Sequence, residues 1–198
     1  MKRTSGLGVP NWLTLLRVLA IPVLVLVFLL PFGWVRPASA LIFVAAAATD
    51  WLDGFLARRL DQGSRLGAFL DPVADKLIVA TALVLIVMAD PHSWVALPAL
   101  IIVGREIAVS ALREWMAGVG SGRAVAVSWA GKVKTAVQMT AIALMLFEHP
   151  LRGAPLYLIG LSLLYLAAAL TVFSMMLYLR AAWPELVPKP GDDSRREL

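Results

Sequence analysis

Cysteine is absent from this sequence of 198 residues, which excludes disulfides, thiolate nucleophiles and zinc or iron–sulfur centres held by cysteine. It also leaves the redox compartment unreadable. Charge is scarce: 16% of residues are charged and 60% hydrophobic, whereas a soluble domain carries about 25% and 45–50%. With a mean hydropathy of +0.81, both departures point to a bilayer as the main solvent. The net charge of +5 and pI near 10.0 would suggest a nucleic-acid partner in a soluble protein. In a membrane protein, Lys and Arg at cytoplasmic helix ends explain the same excess, and no nucleic acid is expected. The length suits one domain.

A helix crossing the hydrocarbon core needs about 20 mostly apolar residues. Windows of that kind fall at roughly 13–32, 37–60, 69–89, 93–117, 126–148 and 155–180. Short joints bearing Gly, Pro or polar residues separate them, such as Phe32-Gly33-Trp34, Asp61 to Ser64, Asp90-Pro91-His92-Ser93 and Gly118 to Gly122. The windows lack the period-two alternation of a membrane barrel, and helices satisfy their own backbone in lipid. The expected fold is an all-α integral-membrane bundle of six transmembrane helices over residues 1–182. Residues 183–198, with Pro184, Pro188 and Pro190, read as a polar, flexible tail.

With six spans, the amino end, the second and fourth joints and the tail share one side. That side holds Lys2, Arg3, Arg58, Arg59, Arg65, Arg113, Arg123, Lys132, Lys134, Arg180, Lys189, Arg195 and Arg196; the other has little beyond Arg36 and Arg152. Both termini are therefore expected to be cytoplasmic. Lys2-Arg3, the apolar run and Ala38-Ser39-Ala40 resemble a cleavable signal, but the run is too long and Arg36-Pro37 interrupts it. The first span is expected to be retained. Trp12, Trp34, Trp94 and Trp183 near span ends fit an interfacial belt. His92 and His149 fall in joints on the outer side, away from the acids described next, and receive no ligand role.

The second and third windows carry charges that a lipid anchor does not need. The text runs Asp50-Trp-Leu-Asp53-Gly54-Phe-Leu-Ala57-Arg58 and then Gly67-Ala-Phe-Leu-Asp71-Pro72-Val-Ala-Asp75. Residues three or four apart share a helix face, so Asp50 pairs with Asp53 and Asp71 with Asp75. A short joint makes the two helices antiparallel neighbours, and the four carboxylates converge. Such anions repel one another; a hard divalent cation with oxygen ligands, Mg²⁺ or Mn²⁺, resolves the conflict better than zinc. Two ions bridged by the cluster fit phosphoryl chemistry. Gly54, Ala57 and Gly67 leave room for a ligand or a neighbouring helix. Arg58 offers a forked donor to phosphate, or an interface anchor with Arg59. Asp71-Pro72 also reads as a helix cap followed by its first residue. Asp50, however, lies about eight residues, on the order of 12 Å, inside its span, where an acid marks function by default.

The spacing Asp-x2-Asp-Gly-x2-Ala-Arg-x8-Gly-x3-Asp-x3-Asp, through Asp50, Asp53, Gly54, Ala57, Arg58, Gly67, Asp71 and Asp75, resembles the signature of the CDP-alcohol phosphotransferase family at all eight fixed positions. The resemblance implies a homodimer of six-helix subunits that displaces CMP from a CDP-linked lipid with an alcohol, using a divalent-metal site on the cytoplasmic side. It implies that Asp50, Asp53 and Asp71 mainly hold metal, and that Asp75 joins them and serves as the base. Gly54, Ala57, Arg58 and Gly67 would shape the CDP-lipid pocket.

Other cations bear on the acceptor alcohol. Arg105 and Arg113 are eight residues apart, about two turns along one face. Lys132 and Lys134 open the fifth window. Their cytoplasmic side suits a phosphorylated acceptor, although Arg123, Lys132 and Lys134 also serve topology, and Glu106 or Glu114 offers the arginines a structural partner. Near the amino end, Asn11 caps a helix or contacts ligand, with Thr14 beside it. Arg17 snorkels or reaches a phosphate. The runs Pro10-Asn-x-Leu-Thr14-x2-Arg17, Gly104-Arg-Glu-Ile-x-Val-Ser-x-Leu-Arg113-Glu and Gly131-Lys-Val-Lys-Thr135 resemble the phosphatidylglycerophosphate-forming branch of the family. That branch implies CDP-diacylglycerol and glycerol 3-phosphate as substrates, in the inner membrane of a bacterium. The alternatives are another acceptor (inositol phosphate, serine or phosphatidylglycerol) or, from a different class, an ion-coupled transporter, since intramembrane acids also mark ion pathways.

Overall fold

A computed structural model describes the backbone over residues 9–60, 65–118, 129–148 and 155–186. Side chains are described over the same residues except 9–11, 13, 50–60, 65–69, 129–132, 181 and 184–186. Among the described residues there are six helices: α1 (Val9–Phe28), α2 (Val35–Leu60), α3 (Arg65–Ala89), α4 (Ser93–Gly118), α5 (Trp129–Phe147) and α6 (Pro155–Leu186). Three of them contain stretches long and apolar enough to cross a membrane: Leu70–Ala89, Ser93–Gly118 and Pro155–Arg180. The other three contain shorter apolar stretches, Thr14–Phe28, Val35–Thr49 and Val133–Phe147.

Side-chain placement is inverted relative to a soluble bundle. Leu41, Leu100, Leu26 and Phe173 are 60–70% exposed, while Thr14, Arg17, Lys134, Gln138 and Thr171 are at most 3% exposed. Leucine and phenylalanine outside, with cations and hydroxyls inside, is the arrangement that lipid as outer solvent favours. The apolar core lies between the helices, around Leu24, Phe43, Ile78, Ile86, Ile102, Ile142, Met145 and Leu164. Alanines at 46, 82, 99, 141 and 167 in the same core allow close helix approach. Gly160 shows how close: a Cβ there would stand 2.8 Å from the Met145 side chain and 3.1 Å from the Ala141 carbonyl.

Helix α1 packs on α2 and α3, α5 on α2 and α6, and α4 on α6 and α3. These contacts bring the first turns of α1, α3 and α5 and the last turns of α2, α4 and α6 to one end of the bundle. Helix α3 begins at Arg65, ahead of Asp71, so Pro72 lies inside the helix and the capping alternative for Asp71-Pro72 does not apply. An interior proline withdraws one backbone hydrogen bond from its helix, and Pro72 directly follows Asp71. Helix α6 continues through Pro184 to Leu186; the rest of the tail lies outside the described residues.

Candidate active site

At that end, α1 and α3 are joined by two polar contacts. Thr14 and Arg17 are three residues apart on α1, and Asp71 and Asp75 are four apart on α3, so each pair lines one face. The Thr14 hydroxyl donates to Asp71 Oδ1 at 2.5 Å, and an Arg17 Nη donates to Asp75 Oδ1 at 2.7 Å. Arg17 is 1% exposed and the Asp75 side chain 40%, so a buried cation positions a carboxylate that stays accessible. Arg17 thus does not snorkel outward; it turns inward to the acid.

Asp50, Asp53, Gly54, Ala57 and Arg58 are on the C-terminal half of α2, and Gly67 is on the first turn of α3. Their side-chain placement lies outside the described residues, as does that of Asn11 and Lys132. Helix α2 packs on α3, the helix that carries Asp71 and Asp75. The acids whose side chains are described suit a hard cation in chemistry: Asp71 and Asp75 present carboxylate oxygens one turn apart on α3. Among the described residues no group of three potential metal-ligating side chains forms.

A second polar network joins α4, α5 and α6. One oxygen of Glu106 accepts from Lys134 Nζ at 2.6 Å and from an Arg105 Nη at 2.9 Å. Arg105 also donates to the Ser174 hydroxyl at 2.5 Å. Arg113 donates to the Tyr178 hydroxyl at 2.8 Å, and both guanidinium groups lie over the Tyr178 ring, at 5.8 and 5.1 Å from its centre. The eight-residue spacing thus brings both arginines to one tyrosine. Two cations against one carboxylate leave this buried network with excess positive charge, which favours an anion nearby.

Between the two networks is a cleft of about 270 Å³ lined by Pro72, Asp75, Lys76, Val79, Glu106, Thr135, Gln138 and Met139. Asp75 forms one wall and Glu106 another, with Lys134 and Arg105 gathered behind Glu106. A wider cleft of about 530 Å³ between α3 and α4 is lined by Leu83, Val84, Leu97, Leu100 and similar residues. It holds no titratable group, so size does not identify the reactive site here. The sequence reading did not single out Gln138, Ser174 or Tyr178. Each is an isolated polar residue in an apolar run, the signal that marks it; Gln138 and Ser174 are buried and Tyr178 is partly buried.

Residues 7–179 match the family model of the CDP-alcohol phosphatidyltransferases. The chain is 53% identical over 183 residues to a CDP-diacylglycerol–glycerol-3-phosphate 3-phosphatidyltransferase of Yersinia pestis (strain Pestoides F), a match covering 91% of this chain and 98% of that protein. A protein of the same name from Pseudomonas fluorescens is 50% identical over 194 residues, 97% of this chain and 96% of the relative. One from Sodalis glossinidius (strain morsitans) is 54% identical over 182 residues, 91% and 97%.

Proposed function

The chain belongs to the CDP-alcohol phosphatidyltransferase family, and from that premise we infer that it is the enzyme transferring the phosphatidyl group of CDP-diacylglycerol to sn-glycerol 3-phosphate. The identity of 50–54% to relatives bearing that activity in their names, over nearly the whole of both chains, carries the reading. In the reaction an acceptor hydroxyl oxygen bonds to the lipid-side phosphorus of the diphosphate. The bond from that phosphorus to the CMP oxygen breaks, and phosphatidylglycerophosphate and CMP leave.

Asp75 is the base that takes the hydroxyl proton, supported by its place on the wall of the cleft. Arg17 fixes one carboxylate oxygen and thereby the direction of the other. A base must stand within hydrogen-bond reach of the proton it removes, and a side chain tied to a buried guanidinium keeps that position without reorganising. Asp50, Asp53, Asp71 and Asp75 would hold the divalent cation or pair of cations, Mg²⁺ or Mn²⁺, used by this family. Bound there, the metal would neutralise charge on the diphosphate and the departing CMP. Gly54, Ala57, Arg58 and Gly67 form the CDP-lipid pocket, and Asn11 and Thr14 support its α1 side. Arg105, Arg113, Lys132 and Lys134 take the acceptor phosphate, with Glu106 keeping Lys134 and Arg105 together until it arrives.

The surrounding architecture follows from the same reading. Six spans cross the inner membrane of a bacterium, with both termini and the site on the cytoplasmic side. The crowding of Lys and Arg at that end supports this orientation, and the family resemblance supports a homodimer. Asp75→Asn tests the base: turnover should fall by at least about a thousandfold, while CDP-diacylglycerol binding persists. Turnover within tenfold of the wild type would refute the role.

A further inference from the structure

The cleft contains a buried polar group that the reaction as described does not use. Gln138 lines it on α5 and is 3% exposed, yet its side-chain amide oxygen has no hydrogen-bond partner. Buried side-chain oxygens are almost always bonded, and an orphan calls for an explanation. Met139 and Val79 beside it are apolar, and although Thr135 and Lys76 in the same lining carry donors, neither bonds this oxygen. An amide oxygen is satisfied by an O–H or N–H donor, and the ligand entering this cleft carries hydroxyls.

Helix geometry gives the register. Gln138 and Lys134 are four residues apart on one face of α5, about 6 Å along the axis. A three-carbon alcohol phosphate with its phosphate toward Lys134 and Arg105 would reach Gln138 with its carbon chain. Its primary hydroxyl, the less hindered nucleophile, goes to Asp75 on the opposite wall. The secondary hydroxyl remains. We propose that Gln138 is a specificity-determining residue that accepts a hydrogen bond from the acceptor's second, non-attacking hydroxyl. The assignment rests on the acceptor reading above and adds what separates a vicinal diol phosphate from a simple hydroxyalkyl phosphate. A site built to bond a substrate hydroxyl rejects the analogue lacking it, because its own polar group is then left unpaired.

The test compares two acceptors, glycerol 3-phosphate and 3-hydroxypropyl phosphate, which keeps the primary hydroxyl and phosphate but lacks the second hydroxyl. The full-length enzyme in detergent micelles is assayed with CDP-diacylglycerol and divalent metal. Wild-type kcat/KM should favour glycerol 3-phosphate by about tenfold or more. In Gln138→Met, close in volume but without the acceptor oxygen, the ratio should collapse to within about twofold of one, through loss with glycerol 3-phosphate alone. Gln138→Glu, which keeps an acceptor oxygen, should retain the preference and covers the case in which the methionine variant does not fold. An equal fall with both acceptors in Gln138→Met, or a wild-type ratio near one, would overturn the assignment while leaving the transferase reading intact. Wild-type failure to use either acceptor would instead overturn that reading, and this inference with it.

Discussion

The Glu106–Lys134 contact allows a quantitative forecast. Lys134 Nζ is 2.6 Å from Glu106 Oε1, with the two side chains 4% and 28% exposed, and the same oxygen holds Arg105, which is 9% exposed. At an effective dielectric near 20, unit charges about 4 Å apart attract by roughly 4 kcal/mol. Desolvation of two ions offsets part of that, and the partial exposure of Glu106 screens more. A net coupling of about 2 kcal/mol should remain. The single substitutions should be unequal. Glu106→Gln strands two buried cations and should cost about 3 kcal/mol, the low end for a broken buried pair. Lys134→Met leaves Glu106 still bound to Arg105 and should cost about 1–2 kcal/mol. The double variant should then resemble Glu106→Gln alone rather than the sum of the two. Unfolding titrated with SDS in mixed micelles gives the four free energies. A coupling below about 0.5 kcal/mol, or a milder effect of Glu106→Gln than of Lys134→Met, would refute the picture of a carboxylate holding two buried cations.

Two further outcomes follow from packing and from pH. Gly160→Val places carbon against the Ala141 backbone carbonyl, which cannot move aside as a side chain can; thermal unfolding should report a loss of about 1–3 kcal/mol, and an unchanged melting temperature would contradict the close α5–α6 approach. At the opposite end of the bundle, Asp90 accepts hydrogen bonds from the Tyr157 hydroxyl at 2.7 Å and from His92. Burial pushes the Asp90 carboxyl up, but those two hydrogen bonds and the His92 charge outweigh it and hold the group below 3.8. A carboxyl depressed by folding stabilises the protein above its unfolded value and loses that contribution as pH falls through the lower folded value. Thermal stability measured from about pH 6 down to about pH 3 should therefore fall less steeply in Asp90→Asn; an identical acid limb would contradict the assignment.

The family was legible because eight residues with fixed spacing, Asp50 to Asp75, fall on two adjacent helical windows. Helices were legible from apolar length, since each window exceeds what a soluble strand needs. What the sequence left open was partner choice. Arg17 had two outward alternatives, and the structure gives it Asp75, 58 positions away. Sequence offers Glu106 to the arginines; it takes one of them, and a lysine 28 positions on. Ser174 and Tyr178 meet Arg105 and Arg113 across 69 and 65 positions. Helical periodicity assigns a face to each residue, but only tertiary packing decides which faces meet. The Asp71-Pro72 ambiguity was of another kind: proline suits a first helical turn, and α3 accommodates it inside because the helix begins earlier, at Arg65.

The most direct test of the central claim is acceptor-dependent CMP release. The purified chain is incubated with CDP-diacylglycerol and Mg²⁺ or Mn²⁺, and glycerol 3-phosphate, inositol phosphate, serine and phosphatidylglycerol are compared as acceptors. CMP and phosphatidylglycerophosphate should form in equal amounts with glycerol 3-phosphate, and a chelator should abolish both. No acceptor-dependent CMP release under any condition would contradict the enzyme reading, and product with another acceptor alone would contradict the glycerol 3-phosphate assignment.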